Sequence, residues 1–480
     1  MKRKNTFQEI ELLMMSSSGK DVSRAIGPIT SFVPHIVDQS VGNHYRGLIK
    51  RCAHANKYSN KVMNRFCSFV DRYVRSHYRP IPYRDLTHEY LDTWLHTSKY
   101  TLKEKEMYHE LLDKFNDPLV NKNKFYRCNS FIKKEYTHEV KEPRIINAPN
   151  NMMKTVVGPY IHEIEEHIYD EHFIKHLTPE QVYTRMKAIS AGVHRVYETD
   201  YSSFEGSFTV KLMNCCEMIM FRRLLSNNPR ILRIVENVNL GSRKLYFRQG
   251  TAVAHLQGSR LSGAMWTSLA NGFTNKMLVE FMVHEAQKTR KSGFQYDYLV
   301  EGDDGFIASD VELPVELTEA LGFRLKIEEA YDVNGLSFCG LCMGPDGLIP
   351  DFHRTIEKFG HTFDDYLVRN YGSKRWSKRR DEMMRAKAMS LLAQSRGVPI
   401  LQPLALKIIA LTNHVKVRRK DFDYWEVECL DILNANLTPK PITDRTRAFF
   451  TDRFGLSMKY QKLLEQYINE MEVVNVYLPL

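Results

Sequence analysis

Two apolar runs between Tyr296 and Ser309 are separated by Gly302-Asp303-Asp304. Strand-forming residues on both sides of a short glycine-containing turn fold back on each other as an antiparallel hairpin. Upstream, His194-Arg195-Val196-Tyr197-Glu198-Thr199-Asp200 reads as another strand, and it too ends on an acid. Leu212, Cys215, Cys216 and Ile219 follow at helical spacing,. A longer helix is predicted over Gly263 to Ala286, with Trp266, Leu269, Ala270, Phe273, Met277 and Phe281 on its apolar side,. Period-two and helical patterns thus alternate through the middle of the chain, as in an α+β sheet with helices packed on one face.

The flanks read differently. Residues 40 to 115 carry apolar and aromatic residues every three or four positions, as at Leu91, Trp94 and Leu95, and predict helices,. Residues 122 to 150 are basic and aromatic, and Pro143 and Pro149 argue against one continuous helix there,. The last 130 residues read as mainly helical and rich in Lys and Arg. Ser16-Ser17-Ser18-Gly19, running toward Gly27-Pro28, predicts an irregular N-terminal arm,.

With 480 residues, 43% hydrophobic and 26% charged, the chain can bury a large core and is neither disordered nor a small disulfide scaffold,. The length allows about three domains, or one body with several lobes. An excess of 68 basic over 57 acidic residues, +11, favours a polyanion and makes nucleic acid the first partner to test,. Eight scattered cysteines without a secretory segment are expected to be reduced thiols,. Cys339-Gly340-Leu341-Cys342 has the spacing of half a zinc site, but no second Cys/His pair stands nearby, so a strand with small buried side chains is the expectation,. Gln8, Glu9 and Glu11 interrupt any signal core after the basic start, and the apolar stretch Ile400 to Leu411 is too short to span a bilayer,. No transmembrane segment is expected.

Asp303 and Asp304, adjacent between apolar strands, would repel in a low-dielectric neighbourhood and ask for a cation. A divalent metal with hard oxygen ligands, Mg²⁺, suits them. A solvated acidic turn would carry the same tripeptide, but Asp200 also closes a strand, with Glu205 five positions on. If those strands pair, the carboxylates converge and could hold two metals roughly 3.5–4 Å apart for in-line attack on a phosphate. Gly263, Thr267 and Asn271 lie four apart, drifting only about 40° per step around a helix, and form one polar stripe,. From Lys122 to Arg144, seven basic residues against three acids are interleaved with Phe125, Tyr126, Phe131 and Tyr136, a composition that can contact phosphates and bases or simply face solvent,.

Taken in this order, the elements resemble the RNA-dependent RNA polymerases of positive-strand RNA viruses, most closely the tombusvirus-like group, over roughly residues 125 to 345. Phe131-Ile132-Lys133-Lys134-Glu135 with Lys141-Glu142-Pro143-Arg144 resembles the fingers motif of the nucleotide entry channel. The resemblance implies that Lys133, Lys134, Lys141 and Arg144 face the incoming triphosphate. Asp200-Tyr201-Ser202-Ser203-Phe204-Glu205 resembles the first palm motif, Arg260-Leu261-Ser262-Gly263 with Thr267 and Asn271 the second, and Gly302-Asp303-Asp304 the third. Leu321 to Lys326 and Leu336 to Cys339 are similar to the fourth and fifth, and Gly397 to Leu401 to a thumb segment.

The resemblance implies a right hand: an N-terminal arm and fingers over 1–190, a palm of antiparallel sheet and packed helices over 191–224 and 259–350, a fingers insertion over 225–258, and a helical thumb over 351–480. It implies two Mg²⁺ ions, with Mn²⁺ as the alternative, on Asp200, Asp303 and Asp304. Lys326 would be the proton donor to pyrophosphate. Glu205, Ser262, Gly263, Thr267 and Asn271 would meet nucleotide sugar and template, and Arg260, Lys374, Arg375, Arg379 and Arg380 the RNA. Template and product RNA and nucleoside triphosphates are the implied partners. Other viral replication proteins would recruit the chain to membrane-associated complexes in the host cytoplasm.

Two positions depart from the pattern. Glu205 stands where the family usually has Asp, moving the carboxylate by roughly 1.5 Å, one carbon–carbon bond. Ala264 stands where related polymerases often have Asp. A reverse transcriptase, another metal-dependent nucleotidyltransferase or nuclease, and a non-catalytic RNA-binding protein are the competing readings.

Overall fold

The computed structural model describes residues 7–9, 23–32, 34–52, 57–247, 251–290, 293–330, 335–418 and 437–480. Ser16 to Gly19 and Cys429 lie outside them. The architecture is α+β, and its centre is a four-stranded antiparallel sheet in the order Leu325–Ala330, Arg195–Tyr201, Asp304–Ser309, Tyr296–Glu301. The hairpin expected between Tyr296 and Ser309 is therefore present, and the strand carrying Asp200 lies directly beside it.

This sheet is covered on both faces, not one. Tyr298, Val300 and Ile307 point into the main core with Leu269, Phe273 and Met277 of the helix Thr267–Thr289. Leu299, Phe306 and Val196 point the other way, onto Val182 and Met186 of the helix Pro179–Ser190 and onto Phe338 and Met343 of a small three-stranded sheet. The unbroken burial from Gly305 to Ser309 follows from this double cover,. The helix Thr267–Thr289 is likewise buried almost all round, with Asn271, Thr274, Asn275 and Lys276 inside along with its apolar residues.

The basic segment 122–150 forms a hairpin, Cys128–Ile132 with Ile145–Pro149, that joins a five-stranded sheet. Its neighbour Ser242–Phe247 runs parallel to Cys128–Ile132, bringing residues about 115 apart in sequence side by side. Helices Val41–Cys52, Asn60–His77, His88–Thr97, Leu102–Asp113 and Asn151–Ile168 surround this region. After the acidic strand, the expected helix is present in two pieces, Val210–Cys215 and Glu217–Leu224, broken at Cys216.

Helices Phe352–Phe359, Lys374–Gln394, Leu401–Leu411, Asp444–Phe454 and Met458–Glu470 pack the C-terminal region around their own core, which includes Phe352, Trp376, Leu404, Phe450 and Leu464. Ile26 is part of that core. Residues 23–32 and 34–35 reach it as a strap: Arg24–Ala25 pairs with His361–Thr362, and the Ile29 backbone bonds Val476 and Leu478. At its far end His35 exchanges two backbone hydrogen bonds with Thr137, while at its start Ser23 meets the Tyr136 hydroxyl at 2.8 Å. No helix among the described residues is long and apolar enough to cross a membrane.

Candidate active site

Gly302 and Asp303 form the two-residue turn of the hairpin, with Glu301 opposite Asp304. Glycine at the first turn position takes φ +58°, which the tight right-twisted hairpin requires and which other residues resist,. Gly305 is needed for a different reason: a Cβ there would collide with the Thr199 hydroxyl on the neighbouring strand. That close approach brings Asp200, the next residue along, up to the turn.

The electrostatics record the convergence. Asp303 is pushed up to about 6, first by burial and then by the negative charges of Glu205 and Asp200, while Arg144 pulls it back. Burial, Asp303 and Asp200 push Asp304 up to about 7 against a hydrogen bond from the Cys339 thiol. Asp200 itself is exposed and faces Lys326, its cross-strand partner, with Nζ 3.9 Å from Oδ2. Asp303 and Asp304, each disfavoured as an anion by the charge of Asp200, form with it an all-oxygen, anionic donor set, the kind that hard divalent cations such as Mg²⁺ prefer,.

Beside the acids, the Asn271 amide donates to Glu205 at 3.5 Å, and Arg51 reaches the other Glu205 oxygen at 3.3 Å. Arg51 is 154 residues from Glu205, and no local pattern marks it. Ser262 and Thr267 hold backbone: the Ser262 hydroxyl donates to the Ile145 carbonyl (2.8 Å) and accepts from the Asn147 amide (3.2 Å), and Thr267 donates to the Leu261 carbonyl (2.6 Å). The helix consequently starts at Thr267, not at Gly263, and Gly263 lies before it against Ile146 and Ala148.

Among the basic residues of the entry motif, Arg144 is close enough to influence Asp303. Glu135 bridges Lys133 (3.5 Å) and Arg144 (3.3 Å), closing the loop between the two strands. Lys134 and Lys141 are exposed on that loop. Arg260, expected at the RNA, is instead buried: its guanidinium pairs with Glu217 and lies 4.1 Å over the Phe208 ring. On the helix Lys374–Gln394, which Lys374 begins, Arg375 is exposed, but Arg379 binds Asp364 (3.0 Å) and Arg380 binds Asp381 (2.7 Å). Those two guanidiniums serve intramolecular pairs rather than an open basic face. Cys339 is in a turn with φ +53° rather than in a strand, and it contacts Asp304.

Residues 139–326 match the viral RNA-dependent RNA polymerase family. The matched stretch begins after Phe131–Glu135, takes in the Lys141–Arg144 half of the entry motif, and runs through the acidic strand and the hairpin to Lys326. The chain is also similar to the RNA-directed RNA polymerase of Greasy grouper nervous necrosis virus, 25% identical over 210 residues, which is 41% of this chain and 20% of that protein. The corresponding polymerases of Atlantic halibut and Striped jack nervous necrosis viruses are 26% and 24% identical over 38% and 41% of this chain. The match thus spans about a fifth of the length of these curated relatives. Within the polymerase match, the acids and Lys326 lie on adjacent strands of one sheet.

Proposed function

We propose that this chain is an RNA-directed RNA polymerase that transfers a nucleoside monophosphate from a triphosphate to an RNA 3′-hydroxyl. The observation that carries the reading is the meeting of Asp200, Asp303 and Asp304 at one end of a sheet, where the charge of Asp200 raises the proton affinity of both hairpin acids, inside the polymerase match. Asp200 and Asp303, with Asp304 assisting, would hold two Mg²⁺ ions, or Mn²⁺. Bound there, the metals lower the pKa of the attacking hydroxyl and offset charge on the leaving pyrophosphate.

The chain's own residues do the rest. Arg144 is positioned to orient the triphosphate close to the acids, with Lys133, Lys134 and Lys141 supplying charge along the same loop. Asn271 and Glu205, steadied by Arg51, present an amide and a carboxylate to the ribose 2′-hydroxyl, a pairing that favours ribonucleotides. Ser262, Gly263 and Thr267 shape the segment beneath the sugar and template. Lys326, cross-strand from Asp200, can deliver a proton to pyrophosphate. Base pairing with the template selects the nucleotide.

In this reading the central sheet and its helices are the palm (191–224 and 259–350), the N-terminal body with 225–258 the fingers, and 351–480 the thumb. Lys374 and Arg375 then serve product RNA. The tombusvirus-like placement rests on the sequence motifs. Recruitment by other viral proteins to membranes of the host cytoplasm belongs to the same proposal.

The test is incorporation of labelled nucleotide by purified protein, with Mg²⁺ and template omitted in turn and with Asp303→Ala compared. Synthesis that requires template and Mg²⁺ and vanishes in Asp303→Ala is expected. Synthesis that survives this substitution refutes the mechanism, and retained RNA binding with no synthesis by the wild type favours a non-catalytic protein.

A further inference from the structure

The helix Thr267–Thr289 carries a second asparagine one turn beyond Asn271. Asn275 is fully buried, and its Nδ2 donates to two backbone carbonyls of the acidic hairpin, Gly302 at 3.3 Å and Asp304 at 3.0 Å. These carbonyls bracket Asp303. Its Oδ1 is buried without a protein partner, an unfavourable situation that an apolar residue of similar size would not create,. The orientation of the amide is nevertheless determined, because turning it over would set oxygen against both carbonyls.

The Cys339 thiol donates to the Asp304 side chain and the Ser268 hydroxyl to that of Glu301 at 3.3 Å, but neither reaches the carbonyls that bracket Asp303. A Cβ at Gly302 would meet nothing within 4 Å, so no side chain packs against the tip from that side. Leu or Ala at position 275 would supply no donor, Asp none when ionised, and Ser a single hydrogen. Asn supplies two from one nitrogen, as the two carbonyls require.

We propose that Asn275 is a positioning residue for the metal site: it sets the orientation of the Gly302-Asp303-Asp304 turn, and thereby the affinity of the carboxylates for a divalent cation. Asn271, which faces Glu205, lies four residues away on the same helix, so its Cβ is about 5–6 Å from that of Asn275,. One helical turn thus fixes the spacing between the sugar-sensing pair and the acidic turn. A change at Asn275 moves the metal site, whereas a change at Asn271 alters sugar selection. The inference rests on the polymerase reading for its catalytic consequence, but its direct readout is metal binding.

The experiment titrates the purified full chain with Mn²⁺ and reads free ion by electron paramagnetic resonance, without nucleotide or template. Wild type, Asp303→Asn, Asn275→Leu and Asn275→Ser are compared, with melting curves to establish folding. Outer-shell partners of a metal commonly change its affinity by about 10–100-fold, so Asn275→Leu is expected to weaken Mn²⁺ binding at least tenfold, with Asn275→Ser between it and wild type. In the synthesis assay kcat should fall while nucleotide KM and the preference for ribonucleotides hold, and Asn271→Ala should do the reverse. Should Asn275→Leu fail to fold, Asn275→Ser decides. Unchanged Mn²⁺ affinity in a folded Asn275 variant, or wild-type binding that Asp303→Asn leaves intact, overturns the proposal. Mn²⁺ binding that depends on Asp303 and Asn275 in a protein without synthesis sustains it and removes the polymerase reading instead.

Discussion

Arg260→Met should be among the most destabilising single changes in the chain. The Arg260 side chain is 1% exposed and Glu217 is 0% exposed, and the two form an ion pair beneath the Phe208 ring. Removing the guanidinium leaves a carboxylate buried without its cation, which costs about 3–5 kcal/mol. The stacking on Phe208, up to about 2 kcal/mol when desolvated, falls within that range because it is lost with the same group. Replacing both partners behaves differently, since apolar side chains of similar volume often match or exceed a buried pair. Arg260→Met/Glu217→Leu is therefore expected to recover most of the loss. Denaturant unfolding of wild type, the single variant and the double variant measures this through the midpoint. Single-stranded RNA affinity, measured in parallel, should be the same in the double variant as in wild type. A double variant no more stable than Arg260→Met would refute the buried-pair argument. Restored stability with RNA affinity lost would show that Arg260 reaches RNA after all.

Three further outcomes follow from the same coordinates. Asp303 has its proton affinity raised from 3.8 to about 6, so the folded state holds a proton that the unfolded state has released, and stability is lost as pH rises between those values,. In EDTA at pH 8, Asp303→Asn should be more stable than wild type by up to about 3 kcal/mol, with the gap closing toward pH 4, and added Mg²⁺ should raise the melting temperature of wild type more than that of the variant. His44, fully buried against Ser130, is held down to about 4 by burial, so the stability that its neutral form provides is present above pH 6.5 and declines as pH falls toward 4; thermal melts of His44→Gln should lack that slope,. Gly305→Ala should cost about 1–3 kcal/mol by overpacking against Thr199, and Thr199→Ala in the same chain should restore melting, unless the strands separate without strain,.

Much of the acidic centre was readable because its determinants are local. A glycine at a two-residue turn between apolar runs specifies a hairpin, and a strand that carries Asp200 near its end can be read from seven residues. Register and partnership are not local. Nothing near Lys326 says that it stands opposite Asp200, and nothing near Arg260 says that Glu217, at the start of the helix Glu217–Leu224, will pair with it in the core. Arg379 reads as part of an open basic face for the same reason, since Asp364 becomes its partner only when the chain packs, whereas Asp381 is Arg380's own neighbour in sequence and that pair is local. The helix start was misplaced because Ser262 and Thr267 spend their hydroxyls on backbone carbonyls, holding 261–266 in turns. Cys339 read as part of a strand because period-two alternation does not register a two-residue turn, Cys339-Gly340, in which both residues take positive φ.

The strap at 23–35 bears on how this protein should be cut. It is hydrogen-bonded to His361–Thr362 and Val476–Leu478 at one end and to Thr137 at the other, so it fastens the C-terminal helices to the loop that carries Lys133 and Arg144. Trimming the chain to begin after it would do more than shorten a tail. It would expose the edge at His361 and remove Ile26 from the C-terminal core, leaving the stacking of Tyr136 on Phe363 and the His138–Glu357 pair to hold the loop to the C-terminal region. Expression variants that retain residue 23 and those that start beyond residue 35 would then be mechanically different objects, one fastened by backbone as well as side chains and one by side chains alone.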